Sequence, residues 1–146
     1  MEARGFTLLE LVVAVGLIGV LTSLAAFRAV AWLPELRLEM ATRQIVLDLR
    51  RSRGQAMAEQ RHRRLVFTPA DETYRLQHRA GAVYENEGAP VSLPPAIDLV
   101  DCSAANAAIG FAPRGTAASF GRVTLRNRNG RERQVIVDMV GRVRVQ

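Results

Sequence analysis

A nearly unbroken apolar stretch opens the chain: Leu11 to Phe27 carries no charge, and from Phe6 onward only Glu10 interrupts it. Read as a helix, Phe6 to Phe27 extends about 33 Å, enough to cross the roughly 30 Å hydrocarbon core of a bilayer. Glu10 is the anomaly. An ionised carboxylate in hydrocarbon costs several kcal/mol unless it is paired, and such residues are functional candidates by default. One alternative is a cleaved secretory signal, which needs a basic head, a shorter apolar run and small residues at a cleavage site. TSLAAFRAVAW could supply the small residues, but MEARG is weakly basic at best and a discarded signal has no use for Glu10.

The 146 residues suit one domain, or one domain with a membrane segment attached. All twenty basic residues are arginine, and the net charge is +6. The lack of lysine is open to a compositional explanation, a GC-rich genome. Physically, the planar arginine fork matches phosphate better than an ammonium point charge does. A basic surface favours an anionic partner such as nucleic acid or a membrane surface. Cys102 is the only cysteine, which excludes an internal disulfide and a cysteine metal cluster. With Asp101 beside it and no histidine near, it reads as a partly buried structural thiol rather than a nucleophile. Neither His62 nor His78 is bracketed by a carboxylate pair, so no metal is expected, and RHRRLVF reads as a solvated basic turn. No nucleophile–base pair or phosphate loop appears, so neither an enzyme nor a cofactor is indicated.

Beyond the apolar stretch, Pro34 predicts a kink or short break. Leu38, Ile45, Leu49 and Ala56 then recur at helical spacing with Thr42 and Ser52 on the same stripe. Arg37, Arg43, Arg50, Arg51 and Arg53 lie mostly off it. This is an amphipathic helix that should pack on a sheet and fade near Arg61, weakened locally by Gly54. The period then changes to two. RLVFT and TYRLQH read as strands joined by a turn at PADE, RAGAVYENEGAPVSLPP as a surface loop, and AIDLVDC and AIGFAPRG as short strands. The fold class is α+β.

The last segment, GRVTLRNRNGRERQVIVDMVGRVRVQ, is the best patterned, with Val123, Leu125, Val135, Val137, Met139, Val143 and Val145 on one apolar face. A two-residue turn at Asn129-Gly130 would set Arg126 opposite Arg133 and arginines beside Val135. A three-residue loop, Asn129-Gly130-Arg131, instead pairs Leu125 with Val135, Val123 with Val137, Arg128 with Glu132, Arg126 with Gln134 and Arg122 with Asp138. The second register keeps the apolar face together. It places Arg122, Arg126, Arg128, Arg142 and Arg144 on the solvent side of neighbouring strands. From Gly121 to Gln146 seven arginines stand against two acids, a net of +5. Phe111 and Phe120 read as core.

RG-FTLLE-LVVAVGLIGVLTSLAAF resembles the class III leader of type IV pilins and type II secretion pseudopilins. The resemblance implies that a prepilin peptidase cuts after Gly5 and methylates the new amino terminus at Phe6. Glu10 matches that family's signature acid. In a filament core, where apolar helices bundle away from water, Glu10 can be neutralised by the amino terminus of Phe6 in a neighbouring subunit and so set the subunit register. The alternative is an acid snorkelling at the bilayer edge. The helical segment and GFAPRGTAASFGRVTLRN…RQVIVDMVGRVRV are similar to the GspH/FimT family of minor pilins and pseudopilins.

That likeness implies a pilin lollipop: a leader over 1–5, a membrane and filament-core helix over 6–30, an amphipathic stem over 31–62 and a periplasmic β-sheet domain over 63–146. It implies a single pass through the inner membrane with the short amino-terminal end cytoplasmic, then a place near a filament tip. Other pilins would be partners through the amino-terminal helix. FimT-like members are associated with DNA capture through a Gly-Arg-x-Arg motif, here Gly141-Arg142-Val143-Arg144, which makes DNA a further candidate partner. Gly141 permits the turn, and two arginines spaced by two project about 7 Å apart, comparable to successive phosphates. A solvated arginine face is the competing reading. Secretion pseudopilin and DNA-uptake pilin both remain open.

Overall fold

The computed structural model describes residues 7–146, with residues 25–31 described in their backbone only. Gly5 and Phe6 lie outside the described residues. The chain divides into two compact units, Met1–Leu33 and Pro34–Gln146. A 51-residue helix, α1, spans Leu8–Ala58. The break expected at Pro34 does not occur, since α1 is continuous through it. Proline forfeits one backbone donor, and the bonded turns on either side carry the helix past it.

In the second unit, nine strands follow: β1 (Arg63–Thr68), β2 (Thr73–Ala80), β3 (Val83–Ser92), β4 (Ile97–Cys102), β5 (Ala108–Phe111), β6 (Ala117–Ser119), β7 (Gly121–Asn127), β8 (Glu132–Val137) and β9 (Val143–Val145). They form two antiparallel sheets, ordered β3-β2-β1-β5-β6 and β4-β7-β8-β9. The helical stripe read from sequence is buried throughout: Leu38, Thr42, Ile45, Leu49, Ser52 and Ala56. It joins Leu65, Phe67, Ile109 and Phe111 of one sheet and Val123, Leu125, Val135 and Val137 of the other in a single core. Each fully buried side chain of this kind contributes about 1.5–3 kcal/mol. Thr42 is polar but satisfied, its hydroxyl donating to the Leu38 carbonyl at 2.7 Å.

Residues 79–95, expected as a loop, contain the ten-residue strand β3. Gly88 and Pro90 give this stretch an irregular look in sequence. They sit where the pairing of β2 with β3 shifts between Tyr74 and Leu76, and β3 is an edge strand. An edge tolerates proline because the missing donor would have faced solvent.

The basic turn expected at RHRRLVF also differs. Arg63 is buried, donating to Glu59 of α1 at 2.9 Å, to Glu87 of β3 at 2.5 Å and to Gln55 at 2.9 Å. One guanidinium thereby joins the end of α1, β1 and β3. Tyr74 of β2 makes a second tie, its hydroxyl donating to Asp48 of α1 at 2.5 Å. Cys102 is half-buried against the core. Burial pushes its thiol pKa up, away from the thiolate that nucleophilic chemistry requires.

Candidate functional site

Three of the expected arginines belong to the hairpin of β7 and β8. Its loop is Arg128-Asn129-Gly130, one residue earlier than expected. Val123 stands opposite Val135, Gly121 opposite Val137 and Arg126 opposite Glu132. The turn chemistry decides this. Gly130 adopts φ +77° and donates to the Asn127 carbonyl at 2.9 Å, the left-handed position that follows a type I turn in a three-residue loop. Buried Asn127 locks it, its Oδ1 accepting the Asn129 and Arg131 amides at 3.0 and 2.9 Å.

A shift of two residues preserves which face is which, so the four central valine and leucine positions stay buried. The partners of the arginines change. Arg126 donates twice to Glu132, at 2.6 and 2.9 Å. Arg122 faces Ile136 instead of Asp138, and Arg128 sits on the hairpin tip. Arg144 of β9 also faces Ile136, so Arg122, Ile136 and Arg144 form one row across three strands.

Met139 and Val145 leave the apolar face, being 66% and 46% exposed; the first lies in the turn before β9 and the second on the edge strand. Phe120 is 49% exposed rather than core, because the chain crosses there from β6 in one sheet to β7 in the other.

Arg142 and Arg144 are placed by the turn between β8 and β9. The Gly141 amide donates to the Asp138 carbonyl at 2.9 Å, and the Asp138 amide to the Arg142 carbonyl at 3.1 Å. Gly141 is buried at φ +82°, and a Cβ on it would lie 2.5 Å from the Gly115 carbonyl oxygen. Only glycine fits there. The same carbonyl accepts the Arg53 Nε–H of α1 at 2.8 Å.

A groove of about 570 Å³ results, lined by Arg50, Arg53 and Met57 of α1 and by Gly141, Arg142 and Arg144. From sequence, Arg50 and Arg53 stand only as solvent-side helix positions, not as members of a site. The signal available is the i, i+3, i+4, i+7 spacing of Arg50, Arg53, Gly54 and Met57, a second helical stripe.

Asp138 caps the turn. Its Oδ1 accepts the Arg142 amide at 2.8 Å, and that bond holds its carboxyl below the usual range, with the Arg142 and Arg144 charges adding to it. A lowered native pKa means a contribution fully present above about pH 5 and lost as the pH falls through the native value. Asp138→Asn, which keeps an acceptor but cannot titrate, should therefore flatten the loss of melting temperature between about pH 5 and about pH 3 relative to the unaltered chain. Identical acid slopes would refute the linkage.

At the other end, Glu10 is exposed in the first turn of α1. Its amide donates to the Thr7 hydroxyl at 3.3 Å, so Thr7 and Glu10 stand in the positions of a capping box, a structural role beside the expected one. Among the described residues no helix is long and apolar enough to cross a membrane. The expected span, 6–30, includes Phe6 and side chains 25–30, which lie outside those described.

Known proteins supply the remaining constraint. Residues 1–26 match the prokaryotic N-terminal methylation motif, and residues 41–141 match the family described as type II transport protein GspH. Among solved structures, the minor pseudopilin EpsH from the type 2 secretion system of Vibrio cholerae superposes with a TM-score of 0.64 at 9% identity, over 75% of this chain and 96% of that one. The type IV minor pilin FimU of Pseudomonas aeruginosa gives 0.60 at 13% identity, over 77% and 90%. At such identities the likeness is one of fold. No curated protein matches the chain in sequence. With its methylation motif followed by a domain match that spans most of the second unit, the chain belongs to the GspH family.

Proposed function

We propose that the chain is a minor pilin or pseudopilin, a structural subunit of a type IV pilus or type II secretion filament rather than an enzyme. The observation that carries this reading is the methylation motif over 1–26 joined in one chain to a GspH domain over 41–141. In it, prepilin peptidase cleaves between Gly5 and Phe6 and methylates Phe6. The apolar helix holds the subunit in the inner membrane, cytoplasmic at its short head and periplasmic beyond the span, until it is drawn into a filament near the tip. Glu10 then meets the amino terminus of Phe6 in a neighbouring subunit. Intact-mass spectrometry of the membrane-extracted protein should find a chain starting at N-methylated Phe6; a chain still starting at Met1 would end this reading.

A finer role is DNA binding through the carboxy-terminal arginines, as for a DNA-uptake pilin. What supports it is the exposure of Arg142, just before β9, and of Arg144 on that edge strand, with Arg122 in the cross-strand row of Arg144. Arg126 contributes less, being engaged by Glu132, and Arg128 stands apart on the hairpin tip. Such contacts address the phosphate backbone and carry no sequence preference. A gel shift with the chain in detergent should show salt-sensitive retardation that Arg142→Gln with Arg144→Gln removes. Retardation indifferent to both changes would leave a secretion pseudopilin as the reading.

A further inference from the structure

The groove between α1 and β9 brings together residues about ninety positions apart. Four guanidinium groups, from Arg50, Arg53, Arg142 and Arg144, line it, and no carboxylate does. Among the described residues no ion pair engages Arg50, Arg53 or Arg144, and the Arg142–Asp138 pair is long at 3.9 Å. Like charges gathered on two facing walls repel one another unless an anion lies between them.

The groove is also prepared in its shape. Gly54, the one position of the second helical stripe without a side chain, faces open space: a Cβ there would meet nothing within 4 Å. The Nε–H of Arg53 is taken by the Gly115 carbonyl, which aims the guanidinium and leaves its two amino groups for a ligand. Met57 provides an apolar wall beside the charges. At about 570 Å³ the space far exceeds a lone phosphate and falls within the range of pockets that enclose whole organic ligands.

We propose that this groove holds a phosphodiester backbone, gripped by Arg50 and Arg53 from one wall and by Arg142 and Arg144 from the other. This rests on the DNA reading above and relocates its site. The polymer lies in a slot between helix and edge strand rather than across the outer face of β7, and Arg126 and Arg128 are dispensable.

The test is fluorescence anisotropy of a labelled 20-nucleotide single-stranded oligonucleotide with the full chain in detergent micelles, titrated with salt and, separately, with inorganic phosphate. Arg50→Gln should lower the slope of log K against log salt by about 0.7 and weaken binding about fivefold near 0.1 M salt, the effect of one lost phosphate contact. Gly54→Leu removes no charge but fills the groove, and should weaken binding at least as much while its thermal melt stays cooperative. Arg126→Gln should bind as the unaltered chain does.

If Arg50→Gln and Gly54→Leu both bind normally while Arg142→Gln with Arg144→Gln does not, the slot is wrong and DNA binding by the strand edge stands. If the unaltered chain binds no oligonucleotide at low salt, both fall together. Full displacement of the oligonucleotide by inorganic phosphate at equal ionic strength would reassign the groove to the free anion and overturn the backbone assignment.

Discussion

Replacing Gly141 with alanine should destabilise the carboxy-terminal unit by about 3 kcal/mol, combining left-handed strain with a steric conflict. The melting temperature should drop by on the order of 10 °C in a circular-dichroism melt of the full chain. Two independent constraints meet at this residue. Its φ of +82° disfavours any side chain, and a Cβ would approach the Gly115 carbonyl oxygen to 2.5 Å. That oxygen cannot retreat freely, because Arg53 of α1 donates to it. Gly130→Ala separates the two causes. At φ +77°, with nothing within 4 Å of where its Cβ would lie, it carries the strain alone, worth about 1–2 kcal/mol. Equal losses at the two positions would show that the close approach contributes nothing, and an unchanged melt for Gly141→Ala would contradict the geometry of the turn.

Glu10→Ala should reduce recovery of the subunit with its filament neighbours by two or more powers of ten. If Glu10 pairs with a neighbour's amino terminus as proposed, leaving that terminus buried without its counter-charge costs about 3–5 kcal/mol. Co-purification of tagged neighbours from solubilised membranes measures it. The Glu10 backbone amide keeps its bond to the Thr7 hydroxyl in any variant; the informative companion is Glu10→Gln, whose side chain can still serve the third position of a capping box but loses the charge. If Gln assembles normally, Glu10 serves the start of the helix and not the register of subunits. If both variants fail, the charge is what the filament requires.

Legibility in sequence follows the range of the interactions. The buried stripe of α1 beyond Pro34 is readable because it repeats every turn, and no distant partner is needed to see Leu38, Thr42, Ile45, Leu49, Ser52 and Ala56 align; the helix's bounds are less so, since it runs through Pro34 and ends at Ala58. The β7–β8 hairpin is readable in its faces but not in its pairing, since a two-residue shift leaves the alternation intact and the loop is settled by the φ of Gly130 and the Asn127 side chain. Strand β3 is hidden because edge strands accept the glycine and proline that exclude a central one. Each wall of the arginine groove has its own local signature, the Arg50, Arg53, Gly54, Met57 stripe and Gly141-Arg142-Val143-Arg144, but nothing in the linear sequence joins the two. The walls come from α1 and from the turn before β9, and Gly115 stands between them, its carbonyl accepting from Arg53 and lying close against Gly141.

The burial of Arg63 also imposes an order on how the fold can close. Its first carboxylate, Glu59, is local and available as soon as α1 ends, whereas Glu87 arrives only after β1 and β2 have been laid down. Until the late hairpin docks, the guanidinium has its charge balanced by Glu59 but lacks the partner that Glu87 provides for its second amino group. The last rung of that ladder therefore acts as a latch on the earlier ones, and Glu87→Gln should hasten unfolding more than it slows refolding.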